Sequence, residues 1–147
     1  MRRYISGSRC CFWRWTDITF DSKLYMRRLH IVQLQVPVGG KLYGGAVMLH
    51  WIRTADPQLD LHDHPVSFLS IPLRGGYLEE LHNGKRRWID GFRYNWKRAT
   101  DSHRIIAVLP ETLMLVLAGP TRRAWGFHTP TGWVAWRDYE DTKDETT

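Results

Sequence analysis

Along most of the chain, apolar and polar residues alternate in short runs closed by Gly, Pro or Asn, the two-residue period of half-buried β-strands. Leu29 to Pro37 alternates over its second half and stops at Pro37 and Gly39-Gly40. Tyr43 to Ile52 follows, with Gly44-Gly45 reading as a bulge or bend. Asp56-Pro57 marks a loop over residues 54–59, and Val66 to Leu73 is an apolar run bounded by Arg74-Gly75-Gly76. Tyr77 to Leu81 is expected to pair with Arg86 to Ile89 across a two-residue Asn83-Gly84 turn. Phe92 to Lys97, Arg104 to Leu109, Thr112 to Ala118, Trp125 to His128 and Gly132 to Trp136 complete the series. No stretch carries the period of an amphipathic helix. The pattern therefore predicts an all-β, single-domain, antiparallel double-sheet barrel. Residues 1–28, without a clear period, read as an N-terminal arm or edge strand, 29–136 as the barrel, and 137–147 as an acidic, frayed tail.

Composition narrows the class. At 147 residues, with 43% hydrophobic and 13% aromatic residues, the chain can bury an aromatic-rich core and does not read as disordered. Cys10 and Cys11 are adjacent, a spacing that fits disulfide geometry poorly, so no disulfide framework is expected. The start lacks the apolar run of a signal peptide and no segment is long enough to span a bilayer, so the expectation is a cytoplasmic protein without a membrane partner. The net charge of +6 divides unevenly: residues 137–147 carry two basic and five acidic side chains, leaving nineteen and ten on the body. The basic segments Lys85-Arg86-Arg87, Arg93, Lys97-Arg98 and Arg122-Arg123 interleave with Trp88, Tyr94, Trp96 and Trp125. Such a face can bind single-stranded nucleic acid, but solvated charges alternating with core aromatics give the same pattern and are the preferred reading.

The candidate chemistry centres on Leu61-His62-Asp63-His64-Pro65. Two histidines one residue apart leave the same face of an extended chain, and His103 stands 39 residues after His64 at the start of a later strand. Three neutral imidazoles would hold a divalent transition metal and leave coordination positions open. His30, His50 and His82 have no such company and read as structural or solvent-facing. Arg53, Arg74 and Arg104 flank strands and are candidates to grip a substrate carboxylate. Tyr77 is a candidate proton donor or inward polar contact. Glu79 or Glu80 would be either a fourth ligand or part of a solvated edge, the latter being preferred.

Taken with Ser67, Ser70 and Leu73-x-Gly75-x-x-Leu78-x-Glu80, the His-Asp-His stretch resembles the first motif of the cupin superfamily, the RmlC-like jelly rolls. More narrowly it is similar to the thiol dioxygenases of the cysteine and cysteamine dioxygenase type, whose first motif also reads His-Asp-His and closes in Leu-x-Gly. The resemblance implies a double-stranded β-helix and a divalent metal, iron(II) first, with zinc, nickel and manganese left open, held by His62, His64 and His103. It further implies His128 near the metal as a catalytic group, a homodimer, and dioxygenation of a small thiol or other small anionic substrate. The departures are specific. The general cupin pattern places a glutamate ligand where Phe68 and Leu69 stand, and in the second motif only His103 survives, with Arg98, Thr100 and Ala107 replacing the expected proline, glycine and asparagine. Three neutral ligands leave the ion's charge uncompensated, which favours an anionic ligand such as a thiolate or carboxylate. The alternative is a non-catalytic cupin that binds a small ligand, nucleotide or nucleic acid, because the fold hosts both kinds of task.

Overall fold

Among the described residues the two-residue period is realised as twelve strands: β1 (Arg9–Phe20), β2 (Lys23–Val38), β3 (Lys41–Ile52), β4 (Leu61–His62), β5 (Phe68–Arg74), β6 (Gly76–Leu81), β7 (Arg86–Asp90), β8 (Asn95–Lys97), β9 (His103–Val108), β10 (Thr112–Ala118), β11 (Gly126–Thr129) and β12 (Gly132–Ala135). One helical turn, α1 (Trp136–Tyr139), follows them. The computed structural model describes residues 9–139; the basic start and the acidic stretch from residue 140 lie outside the described residues.

The strands form two six-stranded sheets, in the orders β1-β2-β3-β10-β5-β8 and β12-β11-β4-β9-β6-β7. Alternation points Met26, Met48, Ile52, Met114 and Val116 of the first sheet at Tyr77, Ile89 and Ile105 of the second. Burying one such side chain is worth about 1.5–3 kcal/mol. A net hydrogen bond is worth about 1 kcal/mol, so these inner faces decide which side of each strand turns inward. Among the described residues no helix is long and apolar enough to cross a membrane.

Several element boundaries differ from the sequence reading. β2 starts at Lys23 rather than Leu29, because β1 and β2 form a long hairpin in which Phe20 pairs with Lys23. The intervening Asp21 and Ser22 both take positive φ, 47° and 63°, the hand that matches strand twist in a two-residue turn. Asp-Ser is a weaker signal for that turn than Asn-Gly. At Gly44-Gly45 the ladder runs through unbroken, and the register shift lies between His30 and Val32. The glycines instead permit close approach: a Cβ on Gly44 would stand 2.1 Å from the Leu34 carbonyl oxygen, and one on Gly45 2.3 Å from that of Ala118. The expected two-residue turn at Asn83-Gly84 is a three-residue loop, His82 to Gly84, closed by the Leu81 N–H donating to the Lys85 carbonyl at 2.8 Å, with Gly84 at φ 74°. Order also extends past Trp136. Tyr139 is buried, its ring stacks on Phe127 at 3.8 Å between centroids, and its hydroxyl donates to Asp60 at 2.7 Å.

Candidate metal centre

Strand pairing assembles the histidine cluster. β4 is only two residues long and lies between β11 and β9, where His62 faces Phe127 on one side and His103 on the other. Residues directly opposite on antiparallel strands share a face and stand within side-chain reach. Beyond β4 the Asp63 N–H donates to the Gly126 carbonyl and the His64 N–H to the Ala99 carbonyl, both at 3.0 Å, which turns His64 in beside the other two. The three ring centroids are 5.0, 5.1 and 5.1 Å apart, and one ligand nitrogen from each ring lies within 4.8 Å of the others.

The donor set fits a transition metal. His64 Nε2 and His103 Nε2 are 2.9 Å apart. Two imidazole nitrogens each about 2.1 Å from one ion and roughly at right angles would be separated by about 3 Å. The far side of His103 is also prepared for ligation. Its Nδ1 lies 2.7 Å from Glu79 Oε2, which holds the proton on Nδ1 and leaves the Nε2 lone pair facing His64.

Glu79 is fully buried and receives Lys97 Nζ at 2.9 Å, Arg87 Nε at 2.7 Å and Asn95 Nδ2 at 3.3 Å. Burial alone would raise its pKa, but the His103 hydrogen bond and the charges around it bring it down to about 2. Asp56 supports His62: its Oδ2 lies 3.6 Å from His62 Nδ1 and accepts the Ile105 N–H at 2.6 Å, while its Oδ1 accepts the Tyr25 hydroxyl. Burial, reinforced by His103, lowers His62 to about 4 despite Asp56, and burial with the neighbouring histidines holds His64 well below the usual histidine range. Both rings are therefore neutral, the form that ligates metal.

Asp63, the residue between the two histidines, points the other way. It accepts the Gly126 N–H at 2.8 Å and the Trp133 Nε1–H at 2.9 Å, and pairs with Arg123 at 2.7 Å.

The cluster opens on a cavity of about 570 Å³ between the sheets, lined largely by apolar side chains including Met48, Ile105, Met114, Trp125 and Phe127. Phe68 lines it too, its ring edge-on to His64 at 4.8 Å. Where the general cupin motif carries a carboxylate, this chain presents an apolar wall. Tyr77 also lines the cavity; its hydroxyl accepts from Asn95 Nδ2 at 2.8 Å and lies 3.5 Å from Ser70 Oγ. Burial and the nearby Glu79 push its pKa up to about 12.

The remaining sequence candidates go elsewhere. Arg53 pairs with Glu111 at 3.2 Å on the exposed surface, Arg74 is exposed at the end of β5, and Arg104 pairs with Glu80. None of the three lines the cavity. His128 is not brought to the cluster either: alternation along β11 turns Phe127 into the cavity and leaves His128 outside, 3.3 Å from Asp63. Glu80, on the outward side of β6, binds Arg86 and Arg104 rather than a metal. Arg86 and Arg87 are thus neutralised by carboxylates, which reduces the charge of the basic face. Missing from the sequence reading are Arg28 and His50, both of which line the cavity, the hydrogen bond by which Glu79 orients His103, and the placement of Asp56 3.6 Å from His62. Strict alternation from Met26 along β2 and from Met48 along β3 would have pointed Arg28 and His50 inward.

Two antiparallel sheets face each other with the three histidines gathered at a cavity between them, and solved cupins share this fold. No protein-family model and no curated protein matches the chain. Solved structures do. A cupin-2 domain from Rhodospirillum rubrum superposes with a TM-score of 0.56 at 12% identity, covering 90% of this chain and 86% of that one. An RmlC-like cupin from Shewanella frigidimarina gives 0.53 at 13% identity, over 80% and 96% of the respective chains. The iron(II) form of HppE gives 0.55 at 11% identity, over 73% of this chain and 56% of that one.

Proposed function

We propose that the chain is a mononuclear metal-dependent cupin that acts on a small anionic molecule, with iron(II) as the first candidate ion and zinc, nickel and manganese as competitors. His62, His64 and His103 would hold the ion, Glu79 and Asp56 would fix the rings of His103 and His62, and the cavity would exclude bulk water. The observation that carries the reading is the convergence of three imidazoles, one of them oriented by a buried carboxylate, on a largely apolar cavity. When bound, iron(II) supplies open coordination positions and electrons for dioxygen chemistry. The absence of a carboxylate at Phe68 favours a substrate that brings its own negative charge, which is the feature shared with the thiol dioxygenases. Tyr77 would present a hydroxyl to the cavity that stays protonated at neutral pH.

Elemental analysis of the purified protein and of His62→Ala, His64→Ala and His103→Ala tests the centre. About one transition-metal ion per chain in the parent and a large loss in each variant is the expected outcome; equal metal content in all four would refute it. Oxygen uptake by the iron(II)-loaded protein with a panel of small thiols then separates a dioxygenase from a metal-bearing binder, since a binder consumes none.

A further inference from the structure

Behind the histidine cluster, on the side of the second sheet away from the cavity, lies a polar group that the metal position does not touch. The β4 ladder ends at His62, so strand pairing by itself does not fix the direction in which His64 points. Continuing the register of β4 on β11, in which His62 faces Phe127, sets Asp63 opposite Gly126. A hydrogen-bonded antiparallel pair exchanges two bonds between main-chain N–H and carbonyl groups. Here the Asp63 N–H donates to the Gly126 carbonyl at 3.0 Å, but the Gly126 N–H donates to Asp63 Oδ1 at 2.8 Å. The side chain stands in for a main-chain carbonyl at the point where the chain turns out of the ladder. Asp63 Oδ2 accepts the Trp133 Nε1–H at 2.9 Å and the Arg123 Nη1–H at 2.7 Å, and lies 3.3 Å from His128 Nε2. Arg123 Nη1 also donates to the Ala99 carbonyl at 3.2 Å, the same oxygen that receives the His64 N–H at 3.0 Å. One guanidinium therefore ties the side chain of Asp63 to the acceptor that holds the backbone of His64. Gly126 completes the fit, since a Cβ there would stand 2.1 Å from the Val134 carbonyl oxygen and 2.9 Å from the Trp133 ring.

Resting on the reading of the cluster as a metal centre, we propose that Asp63, Arg123 and Trp133 are positioning residues of that centre, a clasp on its outer side that sets the angle at which His64 enters the cluster. An aspartate on a solvated sheet face needs no fixed partners, whereas Asp63 is 1% exposed and takes its donors from β11, from β12 and from the Arg123 loop. A buried polar network with every member satisfied makes its surroundings rigid, and the backbone made rigid here is the single residue between two metal ligands. Glu79 orients His103 through the imidazole ring. The clasp works on His64 through the main chain, so its loss should turn His64 away and leave His103 in place.

Two measurements on Asp63→Asn, Arg123→Met and Arg123→Lys test the clasp, with Arg27→Met, which opens the exposed Asp17–Arg27 pair, as the control. The first is labelling of the metal-free, full-length protein with diethyl pyrocarbonate, read histidine by histidine by peptide mass spectrometry. His64 is expected to react severalfold faster in Asp63→Asn and Arg123→Met than in the parent while His103 keeps its rate. Arg123→Lys should fall between, because an ammonium keeps the charge but lacks the planar fork that spans Asp63 and Ala99. The second is zinc affinity by competition with a chromophoric chelator, expected to drop about 10- to 100-fold in the first two variants and to hold in Arg27→Met. Unchanged His64 labelling and unchanged affinity in folded variants overturn the proposal even if their urea midpoints fall, as does an equal rise in labelling at all three histidines, which would mark a general loosening of the sheet. If Asp63→Asn and Arg123→Met fail to fold, Trp133→Phe, which removes only the indole N–H from Asp63, carries the test: faster labelling confined to His64 supports the clasp and a parent-like rate overturns it. A parent that binds no transition metal defeats the metal-centre reading, and the labelling of the metal-free protein still decides whether the clasp sets His64, so the two fail separately.

Discussion

At the scale of single residues, the site depends on groups that never face the metal position. Glu79 is the clearest, because one buried carboxylate serves His103, Lys97, Arg87 and Asn95. Glu79→Gln keeps an acceptor for His103 but leaves Lys97, only 3% exposed, beside a neutral amide. The expected outcome is a loss of about 3–5 kcal/mol in urea unfolding of the metal-free protein. Metal affinity should fall about 10- to 100-fold in competition with a chromophoric chelator. His62 gives a pH dependence whose sign follows from its lowered pKa. Between the ordinary value of 6.5 and about 4 the unfolded chain takes up a proton that the folded chain refuses. Stability is therefore present above pH 6.5 and falls as the pH drops toward 4, by about 3 kcal/mol in all for this ring. Glu79, lowered to about 2, extends the decline through the carboxylate range from 4.5 downward. Urea midpoints of the metal-free protein from pH 7.5 to 4 check this, and a flat profile refutes it. The triad itself was legible from the H-x-H spacing and a strand-initial His103. Alternation from Met26 and Met48 could have turned Arg28 and His50 inward, but a single arginine and a single histidine in separate strands carry no signal that they meet. Only the register of β2 against β3 brings them together.

At the scale of elements, short pieces with exact backbone requirements frame the centre. Gly75 sits between β5 and β6 at φ 67°, and a Cβ there would stand 2.5 Å from Thr112 Oγ1 and 2.9 Å from Thr112 Cα. A Cβ on the adjacent Gly76 would lie 2.6 Å from the Ile89 carbonyl oxygen. The Leu-x-Gly ending of the motif is thus a packing requirement where two strands meet β10. Gly75→Ala combines a left-handed backbone with a clash, and a loss of about 2 kcal/mol or more is expected in thermal melts, with Gly84→Ala, in open space at φ 74°, affected less. Strand existence was readable almost everywhere from alternation. The β1–β2 hairpin was obscured because Trp13 at φ 52° interrupts its period and its turn uses Asp21-Ser22. The docking of Tyr139 was hidden for another reason: one tyrosine among acidic residues reads as solvated tail until Phe127 and Asp60 are seen beneath it.

At the scale of the molecule, the two sheets contribute different things to one cavity: the second supplies His62 and His103 with their supporting carboxylate Glu79, and the first supplies Arg28 and His50. Tyr139→Phe removes the hydrogen bond to Asp60 while keeping the stack on Phe127, and a modest loss of about 1 kcal/mol is expected by urea unfolding. The brevity of β4 reaches further. The chain from Asp56 to His64 has only two ladder residues, and is otherwise held at its two ends by the backbone N–H groups of Asp56, Asp63 and His64 and by the side chains of Asp56, Asp60 and Asp63 on Tyr25, Tyr139 and Arg123. A stretch moored in this way can lift without unravelling either sheet. Amides of residues 56–64 should exchange with deuterium well ahead of those in β3 and β10 when metal is absent, and slow sharply when it is added. An ion bridging His62 and His103 would then act as a rivet between a loose flap and a rigid plate, so that the tempo of metal loading is the tempo of the flap.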